Sequence, residues 1–243
     1  MLDPADCGPA CLSLSQDVQG ETYEYPEEFF KERVHNIRRP RPDDFQIKQA
    51  AEQIKKSKNP LLISGGGVFY SDAMEDLSNF AIKHNIPVTQ TVMGYSTMKR
   101  DHSHFLGPIG GLGGKAANNL AKQTDLAIAV GTKLADFTTG SWANFENPDF
   151  SLVSVNVSRF DASKHLAQSV IGDAKVSLQE LSNALGDWKA PDEWHKKSRD
   201  ELKNWNDYVD KESGPTNQEL PSYAHAVGAC LLYTSDAADE RRR

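Results

Sequence analysis

The sequence has few cysteines, no long apolar run and no excess of positive charge, and each absence excludes a class of protein. Its three cysteines, Cys7, Cys11 and Cys230, form no even-numbered disulfide framework, which favours a reducing cytoplasm. No apolar run approaches the roughly 20 residues that a bilayer span requires. The formal net charge of −7 argues against a nucleic-acid or anionic-membrane surface. We therefore expect a cytoplasmic protein with neither nucleic acid nor membrane as a partner.

The first ten residues, MLDPADCGPA, predict neither a secretory leader nor a metal site. They are acidic and are interrupted by Pro4 and Pro9, whereas a leader is basic and then continuously apolar. Cys7 and Cys11 have a C-x₃-C spacing, but no second cysteine pair follows to complete a zinc site. We interpret both cysteines as ordinary small residues in or beside a strand.

The most informative stretch is PLLISGGGVFYSDA at residues 60–73. A short apolar run predicts a buried strand, which leads directly into three glycines. Ser71 is then a candidate N-cap for a helix whose apolar positions, among them Leu77 and Phe80, recur at helical spacing. Strand, glycine turn and helix form the first half of a βαβ unit, whose turn lies at the carboxyl edge of a sheet.

Strands and helices alternate at short spacing throughout residues 43–188. Asp43 or Asp44 is expected to cap a first helix, and Asp173 a later one. This alternation predicts an α/β fold with a doubly wound, mostly parallel sheet. The predicted strands are Leu61–Ile63, Ile86–Val92, Leu126–Gly131, Ser151–Val157 and Val170–Gly172, and a long glycine-rich loop at Gly94–Gly114 precedes a helix at Lys115–Lys122.

The segments outside residues 43–188 have a different composition. Residues 1–18 contain a strand-like alternation at 8–18, which indicates the last strand of a truncated domain. Residues 19–42 are proline-rich and are predicted to be a linker that Phe29 and Phe30 anchor to a neighbouring surface. Residues 189–230 contain a charged amphipathic helix, interpreted as a connector that packs against another domain. Residues 231–243 complete no helix, resemble translated adapter sequence from a sequencing library, and are excluded from fold reasoning.

Two glycine systems point to one edge of the predicted sheet. Gly65, Gly66 and Gly67 either let a ligand approach the backbone or let helix and strand pack closely. Gly107, Gly110 and Gly113 precede a helix, where free N–H groups can hold a phosphate. Neither system matches the dinucleotide fingerprint, so nucleotide binding and purely structural turns both remain open. The candidate cofactor-binding residues are Gly65, Gly66, Gly67, Gly110 and Gly113.

The remaining polar residues form no complete catalytic constellation. His102 and His104 have an H-x-H spacing without an identifiable third metal ligand, so we interpret them as part of a solvated loop. Four polar residues follow the Leu126–Gly131 strand, and they either contact a ligand or only form turns and helix caps. These residues are Asp136, Thr138, Thr139 and Ser141.

The chain resembles thiamine-diphosphate enzymes of the acetolactate-synthase type. GPACLSLSQDV is similar to the closing strand of their pyrimidine-binding domain, and PLLISGGGVFYSDA, IPVTQTVMGYST and the stretch from DHSHFLGPIGGLGG to DFTTGSW are similar to their central domain. Within that family, DPADCGPA, FFKERVHNIRRPRP, DFTTGSW and NVSRFDASKH are most similar to a hydrolytic branch that opens a cyclic vicinal diketone in myo-inositol breakdown. The likeness extends from Asp3 to Cys230.

The resemblance implies an internal fragment of a homo-oligomeric enzyme, with no catalytic residue of its own. Thiamine diphosphate and Mg²⁺ would be held by domains outside this sequence, and Met93–Thr97 and Asp136–Trp142 would border the active-site cleft. Some relatives bind FAD with an arginine, whose place is taken here by Phe137, so FAD is not expected. The alternatives are an acetolactate-synthase-like carboligase or decarboxylase, and a nucleotide-binding module without catalysis.

Overall fold

Six parallel strands form a single sheet, as the alternating pattern predicts. The computed structural model describes the backbone of residues 2–240 and the side chains of residues 2–231. The strand order is β3-β2-β1-β4-β5-β6. The first strand therefore lies in the middle of the sheet, with β2 and β3 added on one side and β4 to β6 on the other. The strands are β1 (Pro60–Ser64), β2 (Val88–Gln90), β3 (Phe105–Pro108), β4 (Leu126–Val130), β5 (Ser151–Asn156) and β6 (Gln168–Ile171).

Helices cover both faces of this sheet. Their bounds are α1 (Asp44–Lys56), α2 (Gly66–Tyr70), α3 (Met74–His84), α4 (Lys115–Ala121), α5 (Asp136–Thr139), α6 (Arg159–Ala162), α7 (Ala174–Leu185), α8 (Asp192–Ser213) and α9 (Tyr223–Glu240). Short 3₁₀ turns lie at Val18–Gly20, Glu27–Phe30, Val92–Gly94 and Lys164–Leu166. No helix in the described part of the chain combines the length and hydropathy that a bilayer span demands.

The strands are apolar at successive positions because both faces of the sheet are buried. Leu62 points into a core shared with α1, α3 and α7, where Phe80 and Leu181 are its companions. Leu61 and Ile63 point the opposite way, into a second core under α4 and α8. A parallel sheet covered on both sides favours this continuous apolar pattern, which the sequence shows in β1 and β4.

The predicted caps of two core helices are confirmed. The Asp43 carboxylate accepts a hydrogen bond from the Phe45 N–H at the start of α1. The Asp173 carboxylate accepts from the N–H groups of Lys175 and Val176 at the start of α7. Each acidic cap satisfies backbone donors that have no partner inside the helix, and its charge suits the positive end of the helix dipole.

The predicted cap at Ser71 is wrong. Gly66–Tyr70 already forms the short helix α2, and Ser71 lies at its carboxyl end, with its N–H bonded to the Gly67 carbonyl. The next helix, α3, starts at Met74 after Asp72, which has a left-handed φ of 53°. Two helices therefore replace the one predicted, because the glycines wind into a helical turn and do not form an open loop.

Two further elements differ from the sequence-based prediction. The loop predicted at Gly94–Gly114 contains the edge strand β3, which pairs with β2 through Phe105 and Val88. Helix α8 was predicted to pack against another domain, but its first half packs on this one. Trp194 is buried in the core beneath α4, and its indole N–H donates to the Pro60 carbonyl oxygen at 2.8 Å.

The strand predicted for residues 8–18 does not form. These residues are exposed and irregular, since no strand of the described chain lies beside them to share hydrogen bonds. Phe29 and Phe30 do not anchor the linker to the domain: they contact each other and Tyr25, and both remain mostly exposed. Whether residues 1–18 belong to a further domain stays a prediction.

The carboxyl-terminal backbone also differs from its prediction. The α9 helix continues through residues 231–240, which were expected to complete no helix. Residues 241–243, the end of the proposed adapter-like tail, lie outside the described residues.

Candidate functional site

A cavity of about 570 Å³ lies at the carboxyl edge of the sheet. Its floor is formed by the segments that follow β1, β2, β4, β5 and β6, so every strand except β3 contributes to it. Residues from the amino-terminal segment and the linker form its opposite wall, including Cys7, Arg38 and Arg39. Open parallel α/β sheets bind ligands at this edge, and the surface of the cavity is mainly apolar.

The first glycine system lies at the point where the strand order reverses, between β1 and β4. Gly66 and Gly67 line the cavity, whereas Gly65 is packed beneath them. A Cβ on Gly67 would be 2.6 Å from the Gly131 Cα, and a Cβ on Gly65 would overlap the Gly131 carbonyl oxygen. The Gly67 N–H also donates to the Gly131 carbonyl at 2.9 Å. These glycines permit close approach of two backbones, which is the structural alternative left open by the sequence.

In the second glycine system, the N–H groups of Gly110, Gly111 and Gly113 already donate to other atoms of the chain. The N–H of Gly110 donates to the Asn118 side-chain oxygen at 2.9 Å, and the N–H of Gly111 donates to the Phe137 carbonyl at 2.7 Å. The N–H of Gly113 donates to the Gly110 carbonyl at 2.9 Å. Gly110 has a φ of +100°, where a side chain would be strained and would overlap the Phe137 carbonyl. The loop therefore presents few free donors to a phosphate, and neither Gly110 nor Gly113 lines the cavity.

Charged and amide side chains that the sequence did not single out as site residues hold the walls of the cavity together. The Arg39 guanidinium bonds to the Ser71 carbonyl and lies 3.2 Å from the almost fully buried carboxylate of Asp173. Asn156, at the end of β5, donates to the Thr132 carbonyl at 3.1 Å. Arg39 comes from the linker, so its place here depends on a contact 134 residues away in sequence, which no local pattern reveals.

The short helix α5, which follows β4, contributes Phe137 and Thr138 to the cavity. The Phe137 side chain is 72% exposed and supplies an apolar ring to the cavity wall. Thr139 is buried, and its hydroxyl accepts from the Trp142 N–H at 3.2 Å, so this threonine builds the turn. Asp136 caps the same turn through its carbonyl and does not line the cavity. Ser141 has a left-handed φ of 53°, which also indicates a turn position.

The interpretation of His102 and His104 as part of a solvated loop is wrong for His104, which is buried immediately before β3, whereas His102 lies in the loop and is partly buried. His104 is buried at the start of β3, and its ring stacks on His195 of α8 with the centroids 4.2 Å apart. Burial, followed by the nearby charges of His195, His102 and Arg199, lowers the pKa of His104 to about 4. Within the described residues, no group of three or more His, Cys, Asp and Glu side chains is placed to hold a metal ion.

The strand order, the close approach of the glycines where that order reverses, and the cavity above them define a doubly wound, Rossmann-like α/β domain. The sequence is more specific than the fold. Residues 47–181 match the profile of the family described as thiamine pyrophosphate enzyme, central domain. The chain belongs to this family.

Curated relatives share the sequence well beyond the central domain. A protein of Clostridium perfringens (strain 13 / Type A), named 3D-(3,5/4)-trihydroxycyclohexane-1,2-dione hydrolase, is 48% identical over 76% of this chain and 29% of its own length. Relatives with the same name from Clostridium tetani (strain Massachusetts / E88) and Geobacillus thermodenitrificans (strain NG80-2) are 44% and 38% identical over 96% of this chain. In each of these two cases the chain spans 38% of the relative's length.

A solved structure shows the same fold. It is the X-ray structure of a protein from Mycobacterium smegmatis assigned as a thiamin diphosphate-dependent enzyme, and it superposes with a TM-score of 0.52. The match covers 64% of this chain and 30% of that one at 21% identity.

Proposed function

We propose that this chain is the central part of a thiamine-diphosphate-dependent hydrolase that opens the ring of 3D-(3,5/4)-trihydroxycyclohexane-1,2-dione by cleaving a carbon–carbon bond. The observation that carries the proposal is the identity of 36–48% to relatives that have this name, which extends over 76–97% of the chain. Because the chain spans 29–39% of their length, the activity belongs to the larger protein. That protein is proposed to be a cytoplasmic homo-oligomer acting in myo-inositol breakdown.

The described residues do not fit the requirements for holding thiamine diphosphate or Mg²⁺. Among them, no group of three or more His, Cys, Asp and Glu side chains is placed to hold a metal ion, and the N–H groups of Gly110, Gly111 and Gly113 already donate to other atoms of the chain. Thiamine diphosphate, when bound, supplies carbanion stabilisation, and Mg²⁺ anchors its diphosphate, so we assign both to other parts of the protein. This chain is proposed to contribute the edge of the cleft through Met93–Thr97 and Asp136–Trp142.

The same edge supports the proposal that FAD is not bound. Phe137 presents a ring where the flavin-binding relatives have a forked donor, and Arg39 already bonds to Asp173 and to the Ser71 carbonyl. The Phe137 carbonyl is likewise occupied by the Gly111 N–H. Titration of the chain with FAD, ADP and NAD tests this: no micromolar binding of FAD is expected, and flavin that co-purifies with the protein would contradict the proposal.

A domain exchange tests the hydrolase function. Residues 43–213 replace the matching segment of the Clostridium perfringens relative, and hydrolysis of the dione is measured with thiamine diphosphate and Mg²⁺ present. We expect the exchanged enzyme to retain ring opening within about tenfold, and the 243-residue chain alone to show none. A folded exchange product that has lost ring opening would contradict the proposal, and ring opening by the chain alone would refute it.

A further inference from the structure

The first half of α8 is held on the domain partly by a group of three imidazole rings. His195 of α8 stacks on His104 at the start of β3, with the two ring planes 28° apart. The His102 ring centroid lies 5.8 Å from that of His104. His195 also donates from Nε2 to the Ser103 carbonyl at 3.2 Å, so the helix is tied to the β3 segment by both ring stacking and a hydrogen bond.

The hydrogen bonds around His104 place a proton on Nε2. The Asn85 amide nitrogen donates to the Asp192 carboxylate at 3.0 Å and to the Ala190 carbonyl at 3.2 Å, which leaves its oxygen as an acceptor. The Nε2–H of His104 donates to that oxygen at 3.3 Å. Nδ1 then accepts from the Ser103 hydroxyl at 2.9 Å. A second proton on Nδ1 would reverse this bond, with the Ser103 hydroxyl as acceptor, so burial of the ring and the nearby charges, and not a lost hydrogen bond, oppose the charged form and lower the pKa of His104.

The charged groups around the stack add to the cost of a second proton. From α8, the Arg199 guanidinium reaches the Phe105 carbonyl at 3.3 Å and places a positive charge beside the rings. The acidic groups lie further out: Asp101 acts on His102, and Asp192 is paired with the Asn85 amide. His102 bonds through Nε2 to the Ser78 hydroxyl at 3.0 Å. Neither carboxylate is among the groups that act on His104, so a second proton on His104 would place a cation against the His195 ring and near the Arg199 guanidinium.

We propose that the stacked imidazoles of His104 and His195 make the docking of α8 on the sheet sensitive to acid, so that α8 opens locally at low pH. The sign follows from linkage: the undocked state binds the proton more tightly, so docking is strongest above about pH 6.5 and weakens as the pH falls. The lowered pKa of His104, about 4, corresponds to a weakening of at most about 20-fold between pH 7 and pH 5.

Hydrogen exchange of the 243-residue chain tests this inference, with each rate corrected for the intrinsic effect of pH. The opening constant of the α8 amides around Trp194–Leu202 is expected to increase between fivefold and 20-fold when the pH falls from 7 to 5. It is also expected to exceed the opening constant of the β4 amides at both pH 7 and pH 5. His104→Gln is expected to remove most of this rise, and His195→Gln a smaller part. His225→Gln, which changes a histidine on α9, serves as the matched control and is expected to leave it unchanged.

Two results would overturn the proposal. The first is that α8 amides exchange only when β4 amides do, at every pH. The second is that the increase in the α8 opening constant at low pH persists in both His104→Gln and His195→Gln. Since His104→Gln removes a buried ring and can prevent folding, imidazole NMR of the unmodified chain provides a second measurement. His104 is expected to titrate near 4 with its proton on Nε2, and titration near 6.5 would refute the inference.

Discussion

The docking of α8 through Trp194 leads to a quantitative prediction. Trp194 is 4% exposed, and its side chain lies in the core that α4 and β1 share. Burial of about 200 Å² of aromatic surface at about 25 cal/mol per Å² amounts to about 5 kcal/mol. Core tryptophan-to-alanine changes cost about 3–5 kcal/mol, which is a large share of the 5–15 kcal/mol that typically stabilises a domain. We expect Trp194→Ala to lower the free energy of unfolding by this amount.

Trp194→Phe separates packing from hydrogen bonding. Phenylalanine retains most of the apolar surface but cannot donate to the Pro60 carbonyl, so a loss of about 1–3 kcal/mol is expected. Trp205, further along α8, is only partly buried against Gly114 and Tyr208 and provides the matched control. Its replacement by alanine should cost about 1 kcal/mol.

The assay is urea unfolding followed by far-UV circular dichroism, because removal of a tryptophan alters fluorescence without reporting on stability. A loss of 3–5 kcal/mol corresponds to a fall in melting temperature of about 6–20 °C for a chain of this size. The same reasoning predicts that a chain ending at residue 190 is less stable than one ending at residue 213. Equal, small losses for Trp194→Ala and Trp205→Ala would refute the assignment of α8 to this domain.

Three further predictions concern single side chains. Gly67→Ala should cost about 2 kcal/mol or more in urea unfolding because two backbones meet there, whereas Gly8→Ala, whose new Cβ meets no atom within 4 Å, should be neutral. Asp125→Ala should cost about 2 kcal/mol, since its carboxylate accepts from two backbone N–H groups at 2.8 and 3.1 Å. Burial lowers the pKa of His84, so the unfolded state binds its proton more tightly than the folded state. The contribution of His84 to the free energy of unfolding is therefore fully present above about pH 6.5 and is lost as the pH falls. His84→Gln should reduce this loss of stability at low pH, whereas the control His225→Gln should leave it unchanged.

The parts of the fold predicted correctly are those that local patterns specify. Continuous apolar runs predicted β1 and β4, alternation predicted β5, and acidic residues ahead of amphipathic stretches predicted the starts of α1 and α7. The strand β3 was missed because its sequence, FLGP, lies among glycines and contains a proline, both of which weaken strand propensity. It becomes a strand only through its pairing with β2.

The candidate site was predicted in position but not in composition. Gly66 and Gly67, which follow β1, line the cavity at the carboxyl edge, whereas Gly110 and Gly113 do not. The role of the first group depends on how closely Gly131 approaches Gly67 across the sheet. Arg39 and Trp194 act through contacts more than 100 residues away in sequence, to Asp173 and Pro60 respectively. A single sequence contains no periodicity that reports such pairs, so the wall of the cavity and the docking of α8 required the three-dimensional structure.

The distribution of exposed apolar residues bears on whether the chain acts as a free-standing module or as part of a larger enzyme. Large apolar side chains are exposed in segments that follow five successive strands of the chain: Phe69, Tyr70, Val92, Met93, Tyr95, Leu112, Phe137, Phe160 and Leu166. Contiguous exposed apolar surface is rare in monomers and marks a surface that contacts something else. A nucleotide-binding module would instead need polar donors at this edge, where Gly111 and Arg39 already use theirs internally. The exposed apolar residues therefore favour a larger protein, in which this edge contacts other parts of the chain or a partner.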